Sequence, residues 1–113
     1  MSVSVRDSGI DITPLAPLLT RIVEACRPEE VWLFGSRARG QARPDSDWDL
    51  LVVVPDETDD SQLDPLVAWK MCNGTGVPAD VILCRVPELR EDRRIPNTLG
   101  YEVERDGVLI YER

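Results

Sequence analysis

Two short stretches hold most of the residues in this chain that could do chemistry. Gly35-Ser36 follows the apolar run Val31–Phe34, and Asp47-Trp48-Asp49 opens a second apolar run that ends at Val54. Glycine lets an anionic group come close to the backbone, and N–H groups where a turn enters a helix bind phosphate. The Ser36 hydroxyl adds a donor. Residues i and i+2 of a strand share a face, so Asp47 and Asp49 would present two carboxylates on one side while Trp48 packs on the other. Two such carboxylates repel unless a cation lies between them. Magnesium takes one or two carboxylates together with substrate phosphate oxygens, the arrangement such a pair offers.

Each motif alone says little. With 12 Asp in 113 residues, about one D-x-D arises by chance, and Asp45-Ser46-Asp47 is a second case. An isolated Gly-Ser is most often a plain strand-to-helix turn. The combination is informative: ten residues separate Ser36 from Asp47, and both motifs abut apolar runs. Strands adjacent in sequence are often adjacent in the sheet, so phosphate site and metal site would share one mouth. Asp80 starts another apolar run, "DVILC". A lone acidic residue at a strand start is commonly a surface residue. In this context it becomes a third candidate, because carboxylates at neighbouring strand mouths can hold two metal ions about 4 Å apart and activate a hydroxyl for in-line attack on phosphorus. Arg37, Arg39 and Arg43 lie between the motifs; arginine offers bidentate donors to phosphate, or the three merely balance Asp45, Asp47 and Asp49.

The elements that must position these residues follow from periodicity. Residues 1–11 form a lead-in. Thr13 as N-cap and Pro14 at the first helical position predict a helix, with Leu15, Leu18, Leu19, Ile22, Val23 and Cys26 on one stripe and Pro28 as its stop. "VWLF" (31–34) reads as a short buried strand and "DLLVVV" (49–54) as a continuous apolar strand of the kind found inside sheets. Asp56 to Asp60 is an acidic loop. Asp64-Pro65 opens a second helix running to about Cys72, and Gly74 and Gly76 end it. "ADVILCRV" (79–86) is a third strand. A charged helical stretch from Pro87, interrupted at Pro96, continues to Arg105. Asp106-Gly107 turns, and "VLIYE" (108–112) is a fourth strand. This alternation predicts an α/β or α+β sandwich.

Bulk properties limit the function. A chain of 113 residues buries roughly 65% of its unfolded surface, so residues 1–113 read as one domain with a real core. No apolar run approaches the ~20 residues of a membrane span and no leader opens the chain, which places it in the cytoplasm by default. The net charge of −8 and pI near 4.5 argue against direct nucleic-acid binding and favour a basic protein partner or a ligand carried in by divalent cations. The absence of histidine excludes Ser-His-Asp and Cys-His catalysis and His-ligated zinc. Chemistry must then run on carboxylates and metal ions. Cys26, Cys72 and Cys84 read as small buried hydrophobes in a reducing compartment, and Tyr101 and Tyr111 as packing or surface residues.

Gly35-Ser36, ten residues, then Asp47-Trp48-Asp49 resembles the G-S-x10-D-x-D signature of the DNA polymerase beta-like nucleotidyltransferase superfamily. Gly40 and "SDWDLLV" add to the likeness, as does the closing "DGVLIYER". At this length the chain is similar to the minimal nucleotidyltransferases. The resemblance implies a short mixed β-sheet flanked by helices. It implies Mg-dependent transfer of a nucleoside monophosphate, AMP from ATP first, with release of pyrophosphate. Two Mg²⁺ ions are implied, for which Mn²⁺ can substitute. Gly35, Ser36 and Arg37 would hold the nucleotide, and Asp47 and Asp49 the metal. Asp80 would be the third metal ligand and the base for the acceptor hydroxyl.

Minimal nucleotidyltransferases of this kind are often antitoxins of HEPN-domain toxins, which they can silence by adenylylating a tyrosine. Three readings follow from the resemblance: an active enzyme on a protein partner, a catalytically silent antitoxin that binds by contact, or an antibiotic-type small-molecule nucleotidyltransferase. The last would need an acceptor domain for which the chain has no room. The intact Gly-Ser and three aspartates favour the first.

Overall fold

The computed structural model describes residues 12–38, 40, 47–85 and 107–113. The lead-in, Arg39, Arg43, Tyr101 and the charged stretch from Pro87 to Arg105 lie outside the described residues.

The helix expected from Thr13 divides in two. Thr13–Leu15 form a 3-10 turn, and α1 runs from Ala16 to Cys26. Ile12 and Leu15, not Thr13, occupy the cap positions, neither with a side-chain hydrogen bond. The second proline, Pro17, explains the shift. It fits the first turn of α1, where a missing N–H costs nothing, whereas deeper in a helix from Thr13 it would break the ladder. At the other end Arg27 takes the left-handed conformation, φ 46° and ψ 55°, and donates its N–H to the Val23 carbonyl. Pro28 disfavours the right-handed helical region for the residue before it, so the stop acts through Arg27.

Four strands follow: β1 (Glu30–Phe34), β2 (Trp48–Val54), β3 (Ala79–Arg85) and β4 (Val108–Glu112). They form a mixed sheet in the order β3-β2-β1-β4. β1 pairs antiparallel with both β2 and β4, while β2 pairs parallel with β3. β2 lies inside the sheet with apolar groups on both faces, which is why "LLVVV" is an unbroken apolar run rather than an alternating one. Leu50, Val52 and Val54 face the main core with Leu18, Ile22, Val31, Leu33 and Ile110. Leu51 and Val53 face the opposite side, against Trp32, Phe34, Ile82 and Cys84. Each fully buried Leu or Ile contributes roughly 1.5–3 kcal/mol against exposure.

Two short α-helices and a 3-10 turn at Asp60–Leu63 complete the described part. α2 is Gly35–Ala38 and α3 is Pro65–Cys72. Asp64 caps α3 as its sequence suggests, accepting the Leu66 N–H at 2.8 Å with Pro65 in the first turn. Asp59, in the acidic loop, likewise accepts from the Ser61 N–H, which holds its carboxyl below the usual aspartate range. α3 points Ala68 and Met71 into the core. Its C-terminal carbonyls are met by Arg21 of α1, which donates to the Met71 and Asn73 oxygens at 3.4 and 2.5 Å.

The cysteines are less enclosed than expected: Cys26, Cys72 and Cys84 are all half-buried. They sit at element margins, Cys26 and Cys72 being the last residues of their helices. Tyr111 is 5% exposed and packs into the core. None of the helices among the described residues is long and apolar enough to cross a membrane.

Candidate active site

Antiparallel pairing brings the C-terminal end of β1 to the N-terminal end of β2, and parallel pairing sets the start of β3 beside the start of β2. All three ends open on one edge. One rung of the ladder crosses them: Phe34 pairs with Asp49, and Asp49 pairs with Asp80. Adjacent strands lie about 4.8 Å apart, so Asp49 and Asp80 are next-door residues on the same face of the sheet.

The rung also explains the glycine. Gly35 follows Phe34 and is carried directly against the Asp49 side chain. Its φ is +74°, a left-handed value that glycine alone tolerates without strain here. A Cβ built at this position would collide with Asp49 Oδ2 and lie 3.1 Å from its Cγ. Two separate constraints therefore demand glycine at one residue. Ser36 and Arg37 follow in α2, both half-buried.

Asp47 is placed differently from its sequence expectation. It lies one residue ahead of β2, exposed, so strand alternation governs Asp49 but not Asp47. Trp48 does turn to the opposite face as expected and is 4% exposed in the main core. Its N–H donates to the Pro78 carbonyl at 2.9 Å, which fastens the approach to β3 onto the start of β2. The Arg37 guanidinium stands over the Trp48 indole, 4.0 Å from the ring centroid. Nothing in the spacing of Arg37 and Trp48 along the chain announces this stack.

The chemistry of the edge suits a hard cation. Carboxylate oxygens are the donors magnesium prefers, and the Asp49–Asp80 rung supplies two carboxylates with Asp47 two residues before Asp49. Among the described residues no three Asp, Glu or Cys side chains converge on one point, so the donors form an open pair with a neighbour rather than a closed cage. Asp80 is exposed and borders a cleft of about 230 Å³ between α3 and β3, while its neighbours Ala79 and Val81 are the β3 residues turned to the α3 side. It also acts on Cys72: burial first, and the Asp80 charge second, push that thiol above its ordinary pKa.

Comparison with known proteins bears on this edge. The model of the nucleotidyltransferase domain family matches residues 19–105, a span that contains Gly35, Ser36, Asp47, Asp49 and Asp80. The structure is similar to that of a Sulfolobus solfataricus protein regarded as a nucleotidyltransferase, with a TM-score of 0.59 and 27% identity over 90% of this chain and 83% of that one. A toxin–antitoxin structure with AMP-PNP shares the fold, with a TM-score of 0.55 and 21% identity over 83% of this chain and 73% of that one. No curated protein sequence matches the chain. Members of this family generally use divalent metal ions. With the family model spanning most of its length and the fold agreeing, the chain belongs to the nucleotidyltransferase domain family.

Proposed function

We propose that the protein transfers a nucleoside monophosphate, AMP from ATP, to a hydroxyl of a protein partner, and that this partner is a HEPN-type toxin. The observation that carries the reading is the Phe34–Asp49–Asp80 rung, which sets a glycine-lined approach and two carboxylates on three adjacent strand ends. The toxin–antitoxin neighbour with AMP-PNP supports a protein partner and an adenine nucleotide by fold likeness, and the HEPN type follows from the resemblance to minimal nucleotidyltransferases.

In this reading the absence of a Cβ at Gly35 lets the Asp49 carboxylate lie directly against the turn that binds phosphate, and the Ser36 hydroxyl donates to a phosphate oxygen. Arg37, anchored on Trp48, contributes positive charge beside an otherwise acidic edge. Asp47, Asp49 and Asp80 would hold Mg²⁺, which when bound offsets phosphate charge and polarises the phosphoryl group. Asp80, the outermost of the three across the sheet, accepts the proton of the acceptor hydroxyl. The hydroxyl oxygen then forms its bond to the α-phosphorus as the bond to pyrophosphate breaks.

The test is co-expression with a small helical HEPN partner followed by intact mass measurement. An adduct of about 329 Da per AMP is expected on the partner, fixed by the stoichiometry of transfer, and Asp47→Ala should bind the partner yet leave it unmodified. Equal neutralisation of the partner by wild type and Asp47→Ala, with no adduct in either, would establish binding by contact instead.

A further inference from the structure

Two large apolar side chains stand out of the described surface, Leu66 at 53% and Trp69 at 61% exposure. They are three residues apart on α3 and so lie on one face, one turn from each other. Trp69 also forms a wall of the cleft of about 230 Å³ that contains Cys72, Ala79 and Asp80. An exposed tryptophan beside an exposed carboxylate, in a groove that ends on a strand of the candidate active site, is an unexplained expense for a surface helix. Tryptophan is also the residue type most enriched where binding energy concentrates at protein interfaces.

Position decides what the groove takes. Across the sheet edge the order is Gly35 at the end of β1, Asp49 on β2 and Asp80 on β3, and α3, which carries Trp69, packs over the start of β3 on the main-core face. With the triphosphate at the glycine end, the groove adjoins Asp80, the member of the row farthest from Gly35. Its size agrees: small-molecule pockets generally hold roughly 300–1,000 Å³, and this cleft falls below that range while accommodating a side chain. Its charge narrows the occupant further. Asp80 borders the cleft and Asp64 caps α3 beside Leu66, with Lys70 next to Trp69 in sequence, on a chain of net charge −8.

We propose that Leu66 and Trp69 form the acceptor-docking platform, which receives a basic polypeptide segment and delivers its hydroxyl-bearing residue into the cleft beside Asp80. This rests on the transfer reading above and adds to it the surface that selects the acceptor. An arginine of the segment would stack on the Trp69 indole, and an apolar neighbour would cover Leu66.

The test uses a fluorescein-labelled peptide with one tyrosine and one leucine among arginines, titrated into the 113-residue chain and followed by anisotropy. Saturable binding is expected to wild type, with at least tenfold weaker binding to Trp69→Ala and to Leu66→Ala and near-wild-type binding to Trp69→Phe. Magnesium–ATP affinity, measured by calorimetry on the same proteins, should stay within twofold. A peptide of the same length with aspartates for arginines should not bind. The proposal is overturned by equal peptide binding to wild type and Trp69→Ala, by no binding to wild type, or by a tenfold loss of ATP affinity in Trp69→Ala, which would make the indole a nucleobase platform. Transfer assays separate the two levels. Peptide docking through Trp69 without nucleotide transfer would remove the enzymatic reading and keep the platform. Transfer at unchanged acceptor KM in Trp69→Ala would do the reverse.

Discussion

Gly35 is the residue at which conformation and chemistry are least separable. Its φ of +74° would strain any other residue, and the space a Cβ would need is taken by the Asp49 carboxylate. Gly35→Ala should therefore cost about 1–3 kcal/mol of stability, read from urea unfolding. It should also reduce nucleotide transfer about 100-fold, since displacing Asp49 by even an ångström is enough to do so. A variant with wild-type transfer would show that Asp49 is not positioned through this contact. Asp49 itself predicts a different pattern. Asp49→Asn keeps shape and hydrogen-bonding capacity but removes a charge facing Asp80, so the metal-free protein should melt at or slightly above the wild-type temperature while transfer is lost. Metal-free melts and labelled-nucleotide transfer on the same preparation check both halves. A marked fall in melting temperature would assign Asp49 a structural role.

Elements hold these residues through a few contacts distant in sequence. α3 has eight residues, too short to persist alone, and Arg21 from α1 satisfies the carbonyls at its C-terminal end. That end leads through Gly74 to Pro78 into β3 and hence to Asp80. Arg21→Ala should cost about 1–2 kcal/mol, and hydrogen exchange should localise the loosening to α3 and the segment before β3. Uniform loss of protection would contradict the local role. The thiols at the two helix ends give a pH test. Burial pushes the Cys26 thiol up, and burial then the Asp80 charge push Cys72 up. A thiol raised in the folded state favours its neutral form. Its contribution to stability is thus intact below the ordinary thiol range and is lost as pH rises through the elevated value. Iodoacetamide should modify both cysteines more slowly than free cysteine at neutral pH, and Asp80→Asn should accelerate Cys72 but not Cys26. Equal rates at Cys72 in both proteins would mean that Asp80 does not sense that thiol.

The whole molecule adds a long-range term. A net charge of −8 on 113 residues attracts a basic partner and repels free nucleotide, so the two ligands should respond oppositely to salt. Association with a basic partner should slow as ionic strength rises, with the effect concentrated where the Debye length falls below about 10 Å. Nucleotide binding should require Mg²⁺ or Mn²⁺, because three acidic residues near the same edge otherwise oppose a triphosphate. Calorimetry with metal and with EDTA distinguishes this, and equal ATP affinity in the two would remove the metal-bridged site. A salt-independent partner association rate would remove the electrostatic account.

Much of this was legible from local pattern alone. The stripe from Leu15 to Cys26 announced α1, although the proline pair displaced its start. The unbroken "LLVVV" placed β2 inside a sheet, because a strand covered on both faces has no polar alternation to keep. The Gly-Ser and Asp-x-Asp spacing carried the family likeness, since such motifs are fixed by a short connection between two paired strands. What remained illegible depends on which distant segments meet. Nothing in the spacing from Asp49 to Asp80 says that they share a rung, because the register of a parallel pair is set by the packing of the crossover, here α3, and not by a turn. Likewise β4 joins beside β1 instead of following β3, Arg37 finds Trp48, and Trp69 emerges next to Asp80. The periodicity of α3 shows that some residues face outward, but only the seating of that helix on the sheet decides which cleft they border. Local sequence thus determined the elements and the chemical inventory of the edge, while tertiary pairing decided which members of that inventory stand close enough to act together.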